Sequence, residues 1–180
     1  CLGHRLRLPE PGNCPPEFGR KLGIPGVSSP NGFGCLDIFD PLALCFLGRH
    51  GPFPANPAGR HADVVIAVGA RFDDRSASSW LPGYSWNFPS TKLLQVDIDP
   101  AELGRNYPPT LGIIADAKVF AAQLIAGLPK RREIARENFG DWRAEVAGWQ
   151  AEWEAFIRPN FTSVTTPIRP EYVVDALMDV

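Results

Sequence analysis

The sequence lacks the features that mark nucleic-acid-binding and membrane proteins. Its 18 basic and 20 acidic residues give a net charge of −2 and form no basic block, so we expect no nucleic acid partner. No apolar run approaches the roughly 20 residues that a membrane helix needs. No signal peptide is visible either, and together these absences predict a cytoplasmic protein that does not bind membranes.

Several common site motifs are also missing. The four cysteines have neither CxxC spacing nor nearby histidines, which favours reduced structural thiols over a metal site. The glycine patterns GxGxxG and GxxxxGK[ST] do not occur, so the ordinary dinucleotide and P-loop fingerprints are excluded.

The most informative stretch that is present runs from His61 to Asp74. Its unbroken apolar run Val64–Val68 is typical of a central strand that is buried on both faces in a parallel sheet. The run ends at Gly69, and Arg71 and two aspartates follow. Glycine allows a close backbone approach and arginine can bind a phosphate with two hydrogen bonds, so this strand end is a candidate ligand site. A surface turn with an Arg–Asp pair is the alternative.

Strands and helices alternate along the first 129 residues. The pattern predicts an α/β fold, a doubly wound parallel sheet flanked by helices, followed by a long helix and a linker. The expected strands are Ile24–Ser29, Leu42–Leu47, Val64–Val68, Lys92–Asp97 and Leu111–Ala115. The expected helices are Pro15–Leu22, a short one capped by Asn56 with Pro57 in its first turn, a short one from Pro100, and Asp116–Leu128.

Two aromatic groups lie outside these elements. Residues 76–89 contain Trp80, Tyr84, Trp86 and Phe88, for which local packing is favoured over a lid. A long helix over Lys130–Arg158 has an apolar stripe at steps of three and four, which indicates a packing face: Trp142, Val146, Trp149, Trp153 and Phe156.

Charged residues follow three of the predicted strands. Arg71 and Asp73 follow one, Asp97 and Asp99 end the next, and Asp116 follows the last. The carboxyl ends of parallel strands meet at one edge, where carboxylates bind ribose hydroxyls and arginine binds phosphate. The pattern predicts a ligand that contains a nucleotide. For Asp97 and Asp116, N-capping of a helix is the alternative.

These residues carry a family resemblance. The run LGRHGPFPANPAGRHADVVIAVGARFDDR, with LLQVDIDPAELGRN and IIADAK, resembles the central domain of thiamine-diphosphate-dependent enzymes, most clearly of the acetolactate synthase catalytic subunit. The later PIRPEYVVDAL is similar to the start of their pyrophosphate domain. The implied division is an irregular remnant over 1–16, a central domain over 17–158, and over 159–180 a linker with the start of a truncated domain. A first residue that is not methionine and an end inside a helix also predict a fragment.

The resemblance implies FAD or an ADP-type ligand in this domain. Carried over by position, the contacts are Gly48, His50, Gly69, Ala70, Arg71, Phe72, Asp73, Asp97, Ile98, Asp116 and Ala117. Arg49 stands where the family usually has an apolar residue. The resemblance further implies that the full-length enzyme binds thiamine diphosphate and Mg²⁺ and is a 2-keto acid decarboxylase or carboligase. It also implies a homodimer or homotetramer in which this domain packs against the other domains.

No catalytic or metal-binding residue is assigned within this chain. The family's catalytic glutamate motif and its GDG motif are absent, so we expect the chain alone to be inactive. Two alternatives remain at this point: a ligand-free structural domain of the same family, and a stand-alone module that binds NAD or another nucleotide.

Overall fold

The computed structural model describes residues 19–20, 22–127 and 139–178. Within these residues the strands are β1 (Gly26–Ser28), β2 (Ala43–Phe46), β3 (Val64–Val68), β4 (Lys92–Asp97) and β5 (Leu111–Ile114). The α-helices are α1 (Ala55–His61), α2 (Ala117–Ala126), α3 (Gly140–Phe161) and α4 (Pro170–Met178). Single 3₁₀ turns form over Pro30–Gly32, Ser78–Trp80 and Pro100–Glu102.

All strand pairs are parallel, which confirms the predicted α/β class. β1 pairs with β2, and β3, β4 and β5 form a second group in that order. The register aligns Val68 with Val96 and Asp97 with Ile114, so the strands of the second group end together. Parallel strands joined by helices bring their carboxyl ends to one edge, and this edge carries the candidate site.

The expectation that β3 is a central strand buried on both faces is only partly met. Among the described strands, β4 has a paired neighbour at each edge, whereas β3 has one, β4. Val64, the first residue of β3, is 49 % exposed, whereas Val65 and Val68 are buried. An apolar run predicts burial, but the strand order depends on long-range connections that periodicity does not encode.

The core lies between the sheet and helices α1 and α3. Phe72 is its aromatic centre and packs edge-on against Trp86, Phe88 and Tyr107, with ring centroids 5.4, 5.8 and 5.5 Å away. Trp86 is 3 % exposed, so the prediction of local packing is confirmed for this residue. Trp80 and Tyr84 are 45 % and 43 % exposed, and Trp80 Nε1 donates a hydrogen bond to Phe72 O at 2.9 Å. Burial also raises the pKa of Tyr107 above its ordinary value.

The predicted start of α1 is wrong. The helix begins at Ala55 after Pro54, and Asn56 lies buried inside its first turn and does not cap it. Its amide instead makes three hydrogen bonds to two other loops, two with Gly48 and one with Ser85. By contrast, Asp116 caps α2 as the alternative reading of that residue required, accepting hydrogen bonds from the backbone N–H groups of Lys118 and Val119.

Helix α3 confirms part of the predicted apolar stripe. Val146 is 2 % exposed, and Trp142 and Trp149 pack with it against the core. Phe156 is 71 % exposed and stacks on Trp153, so the last part of the stripe does not face the core. The helix extends beyond Arg158 to Phe161, and the expected start at Lys130 lies outside the described residues.

The predicted division at residues 16 and 158 stays a prediction, and residues 1–16 lie outside the described part. Among the helices of the described ranges, none has the length and apolar character needed to cross a membrane.

Candidate functional site

The ends of β3, β4 and β5, together with the loop after β2 that lies against the loop after β3, form the edge here called the carboxyl edge. The N–H of Gly69, after β3, donates to Val96 O at 2.8 Å, and the N–H of Ala115, after β5, donates to Asp97 O at 3.1 Å. The N–H of Arg49, after β2, donates to Arg75 O at 3.3 Å. The loops after β2, β3, β4 and β5 therefore lie side by side, as the sequence predicted for the last three.

The loop after β2 is pressed against the loop after β3. Gly48 has φ 119°, a left-handed conformation that favours glycine, and a Cβ placed there would lie 2.0 Å from Arg75 O. Beside it, Arg49 Nη2 forms an ion pair with Asp74 Oδ2 at 2.5 Å, and the two side chains are 44 % and 45 % exposed. The sequence predicted neither this contact nor the partner of Arg49.

A buried amide fixes the position of Gly48. Asn56 Nδ2 donates to Gly48 O at 3.0 Å, and Asn56 Oδ1 accepts from Gly48 N at 3.1 Å. The hydroxyl of Ser85 donates to the same Oδ1 at 2.8 Å, and Ser78 Oγ lies 2.6 Å from Ser85 Oγ. Because every one of these groups is buried, the hydrogen bonds compensate for lost hydration and hold the loop in one conformation.

Arg71 forms an ion pair with a buried carboxylate, that of Glu102. Its Nε lies 3.2 Å from Oε1 of Glu102, whose side chain is 4 % exposed, while the Arg71 side chain is 36 % exposed. Asn106 Nδ2 donates to Arg71 O at 2.8 Å. The predicted Arg–Asp surface pair is therefore wrong for Arg71. The contact at Nε is an ion pair and not a hydrogen bond, and an arginine carries further N–H donors on its two Nη atoms.

The three candidate aspartates have different roles. Asp73 builds a turn, since its Oδ1 accepts hydrogen bonds from the N–H and the hydroxyl of Ser76, both at 2.8 Å. Asp116 is the cap of α2. Asp97 is 2 % exposed and its Oδ1 accepts from Asp99 N at 3.0 Å, but it caps no helix, because Asp99 caps the following 3₁₀ turn. The capping alternative is therefore wrong for Asp97.

The remaining candidates divide by exposure. His50 and Ile98 lie on the surface of the carboxyl edge, and Ile98 is 64 % exposed. Phe72 and Ala70 are each 2 % exposed, and their side chains belong to the core. Ala117 is half-buried in the first turn of α2.

Sequence reasoning missed the residues that support the edge from beneath. Glu102 holds Arg71 and Arg105, and Gln95 links β4 to the following turn through hydrogen bonds to Glu102 O and from Gly104 N, both at 2.9 Å. One signal was present: Asp99 and Glu102 have the spacing of a capping box. Glutamate at that spacing indicates a helix start. The spacing does not indicate that Glu102 pairs with Arg71, which lies in the loop after β3.

The chemistry of the carboxyl edge suits an organic anion better than a metal ion. It offers the guanidinium groups of Arg49 and Arg71, each paired with a carboxylate, and the buried carboxylate of Asp97. Within the described ranges, no three His, Cys, Asp or Glu side chains are grouped closely enough to hold a metal. Guanidinium groups bind phosphate in a bidentate manner and carboxylates accept hydrogen bonds from ribose, which are the two parts of a nucleotide.

Comparison with known proteins agrees with this fold. The family described as "Thiamine pyrophosphate enzyme, central domain" matches residues 16–124. The chain is 33% identical over 169 residues to "Acetolactate synthase 3, chloroplastic" of Brassica napus, covering 92% of this chain and 24% of that protein. It is 29% identical over 161 residues to "Acetolactate synthase large subunit" of Haemophilus influenzae, covering 89% and 27%.

A third relative, "Probable acetolactate synthase 2, chloroplastic" of Oryza sativa subsp. japonica, is 36% identical over 168 residues, 91% of this chain and 24% of the relative. The chain thus spans about a quarter of the length of the curated relatives that it matches. The family model covers more than half of the 180 residues, and the parallel α/β fold is consistent with it. The chain belongs to the thiamine pyrophosphate enzyme central-domain family and resembles acetolactate synthases, including a large subunit.

Proposed function

We propose that the carboxyl edge binds FAD or an ADP-containing ligand. The observation that carries this proposal is the row of strand ends, where backbone hydrogen bonds join the loops after β2, β3, β4 and β5. Arg71, rigidly supported by Glu102, and the buried Asp97 lie on adjacent members of that row. Sites that are preorganised on strand ends bind with a smaller loss of side-chain entropy.

Each part of the ligand has a partner of suitable chemistry. Arg71 is the proposed phosphate contact, because its guanidinium is both charged and partly exposed. Asp97 is the proposed partner of ribose hydroxyls, as a carboxylate at a strand end in nucleotide-binding sheets. Gly48, His50, Gly69, Ala70, Phe72, Asp73, Ile98, Asp116 and Ala117 are proposed to line the site, with Phe72 and Ala70 contributing backbone groups.

A competing function is that of a ligand-free structural domain. The observation in its favour is that both arginines of the edge already have carboxylate partners, Arg71 with Glu102 and Arg49 with Asp74. A phosphate would then compete with Asp74 for Arg49. We prefer the ligand-binding function, because the ion pair between Arg71 and Glu102 is made at Nε and an arginine has four further N–H donors on its Nη atoms.

The longer enzyme is proposed to be a thiamine-diphosphate- and Mg²⁺-dependent decarboxylase or carboligase of 2-keto acids, like the relatives named above. Thiamine diphosphate, when bound, supplies the carbanion chemistry, and the protein orients the cofactor. In that enzyme the present domain would act as a scaffold in a cytoplasmic homodimer or homotetramer. The chain itself lacks the family's catalytic glutamate and GDG motifs, so its own role is binding and support.

The test is thermal unfolding of the purified chain with FAD, ADP and NAD in turn, after its visible spectrum is checked for bound flavin. At a ligand concentration one hundred times Kd, binding adds about 2.7 kcal/mol, which raises Tm by about 5–11 °C for a chain of this length. Arg71→Ala is expected to abolish the shift. Arg158→Ala, a matched control on α3, removes an exposed guanidinium paired with Glu154 and is expected to retain it.

The outcomes separate the candidates. A shift with FAD or ADP that Arg71→Ala removes supports the proposed site. A folded chain that responds to none of the three ligands would leave the structural-domain alternative, and a shift with NAD alone would favour the dinucleotide-binding module.

A further inference from the structure

Trp80 differs from the other four tryptophans in the surroundings of its ring. The others each pack against an aromatic ring, with centroids 5.5 to 5.7 Å apart, in three pairs: Trp86 with Phe88, Trp142 with Trp149, and Trp153 with Phe156. Within the described ranges, no aromatic ring packs against that of Trp80. Trp80 is also 45 % exposed, so a large part of its indole is open to solvent.

A hydrogen bond fixes this indole at the carboxyl edge. Trp80 Nε1 donates to Phe72 O at 2.9 Å, and Phe72 directly follows Arg71 in the chain. Because Nε1 is the single polar atom of an indole, this contact satisfies the whole hydrogen-bonding capacity of the side chain. The ring is therefore held next to the proposed phosphate contact, and what remains exposed is apolar.

The backbone that carries the indole has an unusual conformation. Ser78, Ser79 and Trp80 have φ angles of 50°, 56° and 56°, in the left-handed region that favours glycine. Such residues persist only where the surrounding structure holds them, and they cluster at ligand sites. Here Ser78 Oγ lies 2.6 Å from the buried Ser85 Oγ, and Ser79 N donates to Asp74 O at 2.9 Å. These contacts hold the turn in the conformation that brings Trp80 against the loop after β3.

The loop after β4 approaches Arg71 from one side. Asn106 Nδ2 donates to Arg71 O at 2.8 Å, and Glu102 Oε1 lies 3.2 Å from Arg71 Nε. Asp97, the last residue of β4, lies on the same side, because β4 pairs with β3. The proposed ribose partner and the groups that hold Arg71 therefore belong to one side of the loop after β3.

The turn that carries Trp80 contacts the loop after β2 instead. Arg49 Nη1 donates to Ser79 Oγ at 3.4 Å. Since β4 occupies one edge of β3, the loop after β2 meets the loop after β3 from the other edge. The order of side chains along the carboxyl edge is thus Asp97, Arg71 and Trp80.

This order matches the order of chemical groups in a flavin dinucleotide. With ribose at Asp97 and phosphate at Arg71, the part of the ligand beyond the pyrophosphate reaches Trp80. ADP ends at its second phosphate, whereas FAD continues into the isoalloxazine, a planar system of three fused rings. Aromatic rings stack favourably in offset arrangements, and an exposed indole offers a wide apolar face for this contact.

We propose that Trp80 is a ligand-binding residue of the carboxyl edge, whose indole stacks on the isoalloxazine ring and thereby favours FAD over ADP. Because the direction of the ligand comes from Asp97 and Arg71, this role of Trp80 rests on the function proposed above. The nicotinamide of NAD is a single ring and covers less of the indole. Trp80 therefore also favours FAD over NAD.

Isothermal titration calorimetry of the purified 180-residue chain with FAD, ADP and NAD tests this role. Trp80→Leu removes the ring and should weaken FAD binding by about 5- to 150-fold, the range that stacking on an aromatic side chain supplies. The Kd of ADP should change by less than about twofold, because ADP does not reach the indole. The wild-type chain provides a second measurement without any variant: bound FAD should lose most of its flavin fluorescence, since an indole in contact with the flavin quenches it.

Two controls separate stacking from support of the loop. Trp80→Phe also removes the Nε1 donor to Phe72 O but keeps an aromatic ring, so it should bind FAD more tightly than Trp80→Leu does. Tyr84→Leu removes a 43 % exposed aromatic ring from the same loop and should bind FAD as the wild type does. Circular dichroism identifies any variant that does not fold, and the comparison then rests on Trp80→Phe and on the fluorescence of bound FAD.

The outcomes distinguish this role from the nucleotide site itself. Unchanged FAD binding in Trp80→Leu, or bright flavin fluorescence in the wild-type complex, would overturn the stacking role but leave the site at Arg71 and Asp97. Equal losses of FAD and ADP binding in a folded Trp80→Leu would make the indole a support of the loop. A larger loss for NAD than for FAD would assign the indole to a nicotinamide ring. If the wild-type chain binds neither FAD nor ADP, the proposed function and this role are both wrong.

Discussion

Replacing Asn56 by alanine should loosen the carboxyl edge at its most buried polar contact. The substitution removes the amide that binds both Gly48 N and Gly48 O and that accepts a hydrogen bond from Ser85. Asn56 is 8 % exposed and Ser85 is fully buried, so water does not readily replace the amide. Three buried polar groups thereby lose a partner in one step.

The magnitude follows from these three groups. Each buried donor or acceptor left without a partner costs about 1–3 kcal/mol, although the losses within one network are not additive. Alanine has the higher helix propensity and returns up to about 0.7 kcal/mol within α1. We expect a net loss of about 2–4 kcal/mol, or about 4–16 °C in Tm for a chain of this length.

Urea and thermal unfolding followed by circular dichroism measure this effect. Asn106→Ala is the control, because it removes one hydrogen bond, from Nδ2 to Arg71 O, at an exposed position and should change stability by less than about 1 kcal/mol. Asn56→Asp keeps the size of the side chain but places an oxygen against Gly48 O, and it should also destabilise. If Asn56→Asp or Asn56→Ala unfolds at the wild-type midpoint, the assigned role of this amide is wrong.

Two further predictions concern packing and pH. Gly59→Ala should lower the free energy of unfolding by about 1–3 kcal/mol, because the new Cβ would lie 2.5 Å from Ser85 O, whereas Gly148→Ala, with no atom within 4 Å, should raise it by about 0.5–1 kcal/mol. If the two substitutions changed the free energy of unfolding in the same direction, this reasoning would be contradicted. Burial pushes the pKa of Asp40 up, but hydrogen bonds from Arg20 and from Leu42 N prevail and lower it. A carboxyl with a lowered folded pKa stabilises above its unfolded pKa of about 3.9 and loses this effect as pH falls further. Asp40→Asn should therefore lower the unfolding midpoint at neutral pH, and the difference from wild type should narrow in acid; a difference independent of pH would argue against the ion pair.

The elements of this protein were largely predictable because their signals are local. The spacing of apolar residues located β4 at Lys92–Asp97, and Asp116 followed by a helical pattern located the start of α2. These signals depend on neighbours within one or two turns of chain, so they do not require knowledge of the fold. The same local logic failed at Asn56, whose type and position suit a cap but whose amide binds Gly48 and Ser85 in two other loops.

The candidate site was predictable in position but not in its contacts. Charged residues after three strands placed Arg71 and Asp97 at one edge, since parallel strands end together. The sequence around Arg71 does not indicate its ion pair with Glu102. The sequence around Arg49 likewise does not indicate its ion pair with Asp74. Such pairs join residues 25 to 31 positions apart, and the strand order decides which of the available carboxylates lies within reach.

The sequence by itself determined that this protein is a parallel α/β domain with a polar carboxyl edge, because apolar runs and the residues that follow them encode strands and their ends. The family resemblance was also readable from the sequence, in several contiguous motifs. Only the tertiary structure decided that β4 lies between β3 and β5 and that Asn56 binds inward. These features arise from which strands become neighbours, and that choice is made by packing across the whole fold.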